Sequence, residues 1–145
     1  MSEGLLNISE RVNIAFHALC CIAAFDDDFA PVNWLAKAMP VSPTYLAKVM
    51  QPLVKAGIVS SKRGPTGGYA LLKKPEDISL YDLILFYDGA LPKGGCIFAH
   101  RYCTGGACIV QKLNAKIYAE MERELRKITV KRIKKDILCR TDRPV

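Results

Sequence analysis

Apolar residues recur at helical spacing almost from the start of the chain. Val12, Ala15, Phe16, Leu19 and Ala23 share one side of a helix that Ser9 is placed to cap and that must stop before Asp26. A short second helix is expected over Val32–Met39. Pro31 stands near its first turn, where a missing N–H costs nothing, and Pro40 ends it. Ser42-Pro43 then restarts a helix, with serine as cap and proline at the first helical position. This third helix carries Leu46, Val49, Met50, Leu53 and Val54 and stops at Gly57, while Pro52 inside it predicts a kink or a break.

The period then shortens. Ile58–Lys62 reads as a strand, Arg63–Gly68 as a turn rich in glycine and proline, and Tyr69–Lys73 as the returning strand. Pro75 breaks the chain, and Ser79 caps a helix with Leu80, Leu83, Ile84 and Tyr87 on one face. Residues 88–108 show no period and are read as a loop. From Ile109 the apolar positions Leu113, Ile117, Met121, Leu125 and Ile128 draw a narrow stripe along a long helix, and residues 138–145 are expected to fray. Helix, short helix, tight turn, helix and hairpin make a winged helix-turn-helix: mostly α, with a small β-hairpin wing, followed by a long C-terminal helix. The domain reading is 1–88 for the winged head, 89–108 for a cysteine-rich loop and 109–145 for the long helix and tail.

Charge sharpens this picture. The chain has 145 residues and a formal net charge of +7, but that charge is partitioned. Residues 29–75 hold seven cations (Lys37, Lys48, Lys55, Lys62, Arg63, Lys73, Lys74) and no acid, whereas residues 1–28 and 76–111 are net acidic. An acid-free segment laid over a helix-turn-helix and wing points to duplex DNA. The third helix would enter the major groove N-terminus first, presenting Ser42, Thr44, Tyr45 and Lys48, with a core role as the alternative for Tyr45. Lys62, Arg63, Thr66 and Gly67 put cations and bare backbone at the hairpin tip, suited to phosphate or a narrow minor groove. Trp34 is assigned to the core. The length leaves little room for a multi-domain enzyme, and no catalytic dyad or phosphate-binding loop is present. No apolar run approaches the roughly 18 residues of a membrane span. Met1-Ser2-Glu3-Gly4 lacks the basic start of a secretory signal, so a cytoplasmic protein without a membrane partner is expected.

Six cysteines remain. A chain of this kind does not call for a disulfide framework. Cys20 and Cys21 lie in the apolar first helix and read as small core hydrophobes, and Cys139 as incidental. Cys96, Cys103 and Cys108 differ, because all three lie in one glycine-rich loop and can converge on a soft metal centre. Zinc, with His100 as a fourth ligand, and reactive thiols are the alternatives, although spacings of seven and five do not match the tight pairs of zinc sites.

Ser42-Pro43-Thr44-Tyr45-Leu46 and the run Gly57-Ile58-Val59-Ser60-Ser61-Lys62-Arg63-Gly64-Pro65-Thr66-Gly67-Gly68-Tyr69, with three loop cysteines ahead of a long helix, resemble the Rrf-type regulators (the IscR, NsrR and CymR family) over roughly residues 8–133. The resemblance implies a homodimer joined through the long helix and a palindromic operator. It also implies a two-iron or four-iron iron–sulfur cluster on Cys96, Cys103 and Cys108, with zinc as the alternative. Such a protein is a DNA-binding transcriptional regulator, in the repressor mould, that senses iron–sulfur, redox or nitric-oxide status. A regulator with a zinc site or thiol switch is the first alternative, and a small iron–sulfur electron carrier is the alternative of another class. IscR-like members place a histidine three residues after the third cysteine, where this chain has Gln111. Other members draw a ligand from the partner subunit's first helix, at positions matching Asn13 and His17, which lie four apart on one helix face.

Overall fold

The computed structural model describes residues 6–25, 28–91, 95–96 and 108–136. Helix α1 (Glu10–Ala24) begins where Ser9 accepts a hydrogen bond from the Val12 N–H and ends at Phe25. Helix α2 (Val32–Ala38) follows, and α3 (Pro43–Lys55) starts at Ser42, whose hydroxyl accepts from the Tyr45 N–H. Strands β1 (Val59–Lys62) and β2 (Gly68–Leu71) pair antiparallel, with Val59 opposite Leu71 and Lys62 opposite Gly68. A single 3-10 turn (Pro75–Asp77) leads to α4 (Leu80–Asp88), opened by a reciprocal capping box between Ser79 and Asp82. Helix α5 (Ile109–Lys127) and the short α6 (Val130–Ile133) complete the described chain. The mostly helical winged architecture is therefore as expected.

Pro52 neither ends nor breaks α3, which runs on to Lys55. The proline removes the hydrogen bond to the Lys48 carbonyl, near the end of the helix and at an exposed residue where water can replace it. The long helix also stops sooner than a continuous stripe implies. At Ile128 the backbone turns extended, Ile128 O accepts from Leu80 N (2.8 Å), and Val130 N donates to Ile78 O (3.0 Å). Thr129 then caps α6, whose Val130 is fully buried.

One core unites the head. Val12, Ala15 and Leu19 of α1, Leu35 of α2, Leu46, Met50 and Leu53 of α3, Val59 of β1 and Leu83 of α4 are all buried. Trp34 joins them, its ring centroid 4.9 Å from that of Phe25. Tyr81, outside the predicted apolar face of α4, is buried beneath the Arg126 guanidinium, 4.1 Å from its ring centroid. Cys20 and Cys21 are buried as expected. Burial pushes the Cys20 thiol up to about 12, which keeps it protonated and unsuited to metal ligation. Cys21 is disulfide-bonded, so its reading as a plain core hydrophobe holds for its burial and not for its sulfur.

Candidate DNA interface and cysteine loop

Helix α3 and the hairpin face each other across a groove of about 880 Å³. Thr44, Lys48, Gln51 and Lys55 come from α3, and Lys62, Arg63, Gly64, Pro65 and Gly67 from the wing. The spacing of the α3 residues explains their alignment: positions 44, 48, 51 and 55 fall on one helix face, opposite the buried Leu46, Val49, Met50 and Leu53. Among the described residues, four cations and no carboxylate line the groove. Among the described residues, Lys48, Lys55 and Arg63 form no ion pair. Coulomb repulsion among unneutralised cations on one concave surface is tolerable where a polyanion binds.

The wing is held against the body by the link between α1 and α2. Ala30 N donates to Tyr69 O and Tyr69 N donates to Ala30 O, both at 2.9 Å, so a single residue acts as a third strand. The approach needs Gly68: with φ +152°, a Cβ there would lie 1.9 Å from the Ala30 oxygen. At Gly67 a Cβ would meet Lys62 O at 2.1 Å, which closes the tip tightly.

Of the residues expected to contact DNA, Thr44, Lys48, Lys62, Arg63 and Gly67 line this groove. Ser42 and Thr66 are exposed nearby in sequence but do not line it. Tyr45 is half-buried against the core, with its hydroxyl directed at Glu10 Oε2 (3.4 Å), a long contact toward α1. Gln51, Lys55 and Asn33 also line the groove; from sequence Lys55 stands out only as a cation of the acid-free segment, and Gln51 and Asn33 not at all. For Gln51 and Lys55, continuing the helical period from Thr44 and Lys48 would have found them.

The cysteine loop is anchored at both ends. Cys96 is exposed and Cys108 half-buried, both with free thiols, and Cys108 stands at the N-terminus of α5. Asn114 Nδ2 donates to Gly95 O (3.1 Å), which ties the residue before Cys96 to the same end of α5. Cys103, His100 and Cys139 lie outside the described residues, and among the described residues no group of three or more potential ligands is assembled. On α1, Asn13 and His17 are both exposed. His17 Nδ1 lies 2.7 Å from the Asn13 carbonyl oxygen, which can only accept, so the Nδ1–H donates and neutral His17 keeps its lone pair on Nε2. Gln111 is exposed on the first turn of α5.

A helix-turn-helix whose second helix and following hairpin enclose a cationic groove defines a winged-helix DNA-binding protein. The chain belongs to the Rrf2 family: residues 8–136 match its model, described as an iron-dependent transcriptional regulator. It is 31% identical over 126 residues to an Aquifex aeolicus protein described as an HTH-type transcriptional regulator, covering 85% of this chain and 88% of that one. It is 29% identical over 113 residues to the transcriptional regulator IscR of Aliivibrio salmonicida, covering 77% of this chain and 62% of that one. Its fold is similar to CymR (YrzC), the global cysteine regulator of B. subtilis, with a TM-score of 0.75 at 23% identity, covering 95% of this chain and 100% of CymR. It is also similar to T. potens IscR, with a TM-score of 0.68 at 23% identity, covering 97% and 95%. The protein is a transcriptional regulator of this family and not an enzyme. Among the described residues, no helix is long and apolar enough to cross a membrane.

Proposed function

We propose that the protein is a cytoplasmic, homodimeric repressor that binds a palindromic operator and senses iron–sulfur, redox or nitric-oxide status. The observation that carries the DNA-binding part is the groove between α3 and the wing, lined among the described residues by Lys48, Lys55, Lys62 and Arg63 and by no acid. Thr44 and Lys48 reach base edges and phosphates from α3, with Ser42 and Tyr45 at its N-terminal end, while Lys62, Arg63, Thr66 and Gly67 follow the backbone from the wing. The dimer is supported by α5 and α4, which leave Ile109, Leu113, Ile117, Leu85 and Phe86 exposed. A second copy would cover this face with the same residues. Two heads then meet two half-sites about one helical turn, or a multiple, apart.

Cys96, Cys103 and Cys108 would hold the iron–sulfur cluster, of two or four irons. The donor set fits, because Cys96 and Cys108 are free thiols held at one end of α5. When bound, the cluster supplies a centre sensitive to oxidants and nitric oxide. His17 of the partner subunit is the better-supported fourth ligand: its Nδ1–H is fixed on the Asn13 carbonyl, which leaves Nε2 as the donor. The Asn13 amide is the weaker alternative. Two hydrogen bonds between the segment before the loop and the head support a coupling of the two. Ser9 N donates to Asp88 Oδ2 (3.0 Å) where α4 gives way to the loop, and Tyr87 Oη donates to Val49 O (2.6 Å) on α3.

Anaerobic purification followed by absorbance and a gel shift at rising salt tests this reading. Absorbance at about 400 nm with salt-sensitive DNA binding is expected. A colourless DNA-binding protein would favour the zinc or thiol alternative, and a coloured protein without DNA binding the electron carrier.

A further inference from the structure

The four cations of the groove are not equally held. Lys48, Lys55 and Arg63 have no ring or carboxylate partner among the described residues, whereas the Lys62 ammonium sits 5.7 Å from the centroid of the Phe29 ring. Phe29 precedes the Ala30 bridge, and Lys62 is the register partner of Gly68, the residue before Tyr69. The two side chains therefore meet because the Ala30–Tyr69 bonds bring the α1–α2 link alongside the wing. Glycine at 68 permits it, since any Cβ there would strike the Ala30 carbonyl. Phe29 is half-buried and is not among the described residues that build or pack on the core. A large aromatic kept at a half-exposed link, outside the core and against a groove-lining lysine, calls for an explanation beyond burial.

We propose that Phe29 is a positioning residue for DNA binding: its ring holds Lys62 on the groove side of the hairpin, poised for a backbone phosphate. The attraction of an ammonium for the face of a ring is suited to this role. It restrains the flexible lysine stem before binding, yet unlike a carboxylate it leaves the positive charge unneutralised for the phosphate. The proposal rests on the reading of the groove as the DNA interface and adds to it a residue that does not line the groove.

The test uses the full chain and a labelled random-sequence duplex of about 30 base pairs, because phosphate contacts do not depend on sequence. Affinity is measured against salt for K62M, F29L, F29W and the double variant F29L/K62M, with each fold checked by circular dichroism. K62M is expected to weaken binding several-fold and to lower the salt slope by about one. F29L should weaken binding roughly two- to fivefold per head, while F29W, which keeps an aromatic face, binds as the parent does. In the K62M background, F29L should have no further effect. Should F29L fail to fold, F29M takes its place in the same cycle. F29L binding like the parent while K62M binds weakly overturns the role of Phe29 and leaves the groove reading intact. An equal loss from F29L with and without Lys62 overturns it too, by showing a merely structural effect. K62M binding like the parent removes the phosphate contact itself, and the proposal with it.

Discussion

Helices α1 and α5 are of similar length, 15 and 19 residues, and do opposite things with their apolar side chains. α1 buries nine residues within its own chain, while α5 buries one, Leu125. Leu113 is 57% exposed and Ile109 81%. The cations differ as well. On α5, Arg123, Arg126 and Lys127 are paired with Glu120, Glu122 and Glu124, whereas Lys48, Lys55 and Arg63 of the head face no acid among the described residues. Exposed pairs of this kind add only tenths of a kcal/mol, so their main effect is to neutralise the C-terminal half of the helix, while Lys112 and Lys116 keep α5 net positive. The head thus carries a large buried core and unspent positive charge, while α5 balances its charges only over its C-terminal half and leaves an apolar stripe uncovered. The first is made for a polyanion, the second for an apolar partner.

The comparison predicts a hierarchy. Leu19→Ala, in the fully buried centre of α1, should cost the head about 3–5 kcal/mol in urea unfolding, while Leu113→Ala should cost a monomeric head almost nothing. Ile117→Glu should do the reverse, weakening the dimer by on the order of 2 kcal/mol per chain in sedimentation equilibrium with the circular dichroism spectrum unchanged. Loss of helical signal in that variant would mean α5 belongs to the head's own fold. Gly68→Ala should cost about 1–3 kcal/mol, because the strained φ and the Ala30 carbonyl both oppose a side chain, and DNA affinity should fall as the wing loses its link. Lys48→Ala should leave stability alone, weaken DNA binding several-fold and reduce the salt slope by about 0.9.

The smallest effect is at the junction of the two regions. Tyr87→Phe removes the hydroxyl on Val49 O and should cost about 1 kcal/mol. Burial pushes the Tyr87 phenol up to about 12 from 10.0. Its contribution is therefore complete below pH 10 and lost as pH rises through 12. Stability measured across that window should fall less steeply in Tyr87→Phe than in the parent.

The same division governs what could be read from the amino acids. Elements of the head announce themselves locally: Ser9, Ser42 and Ser79 each cap the helix they precede, and the glycine-proline turn marks the wing. Contacts between distant segments leave no such mark. The Ala30–Tyr69 bridge, the turn at Ile128 onto Leu80 and the burial of Tyr81 under Arg126 all depend on tertiary approach rather than period. Half of the groove was visible because cations and hydroxyls cluster at the start of α3 and at the wing. Gln51 and Lys55 lie further along the same helix face, where only the helical period from Thr44 and Lys48 marks them as groove residues. Tyr45 illustrates the limit of residue type as a guide, since an aromatic at a reading position also satisfies a contact to Glu10 on α1. In the loop, residue type marks the three cysteines, but it does not reveal the Asn114–Gly95 bond, which among the described residues ties the stretch beside Cys96 to the start of α5.

On the proposed reading, an iron–sulfur cluster on Cys96, Cys103 and Cys108 governs the head's DNA binding. The most direct measurement is the content of iron, acid-labile sulfide and zinc per dimer in anaerobically purified protein. Iron and sulfide in matching amounts, lost together in Cys96→Ala and Cys108→Ala and diminished in His17→Ala, are the predicted result. Stoichiometric zinc without iron or sulfide would contradict it.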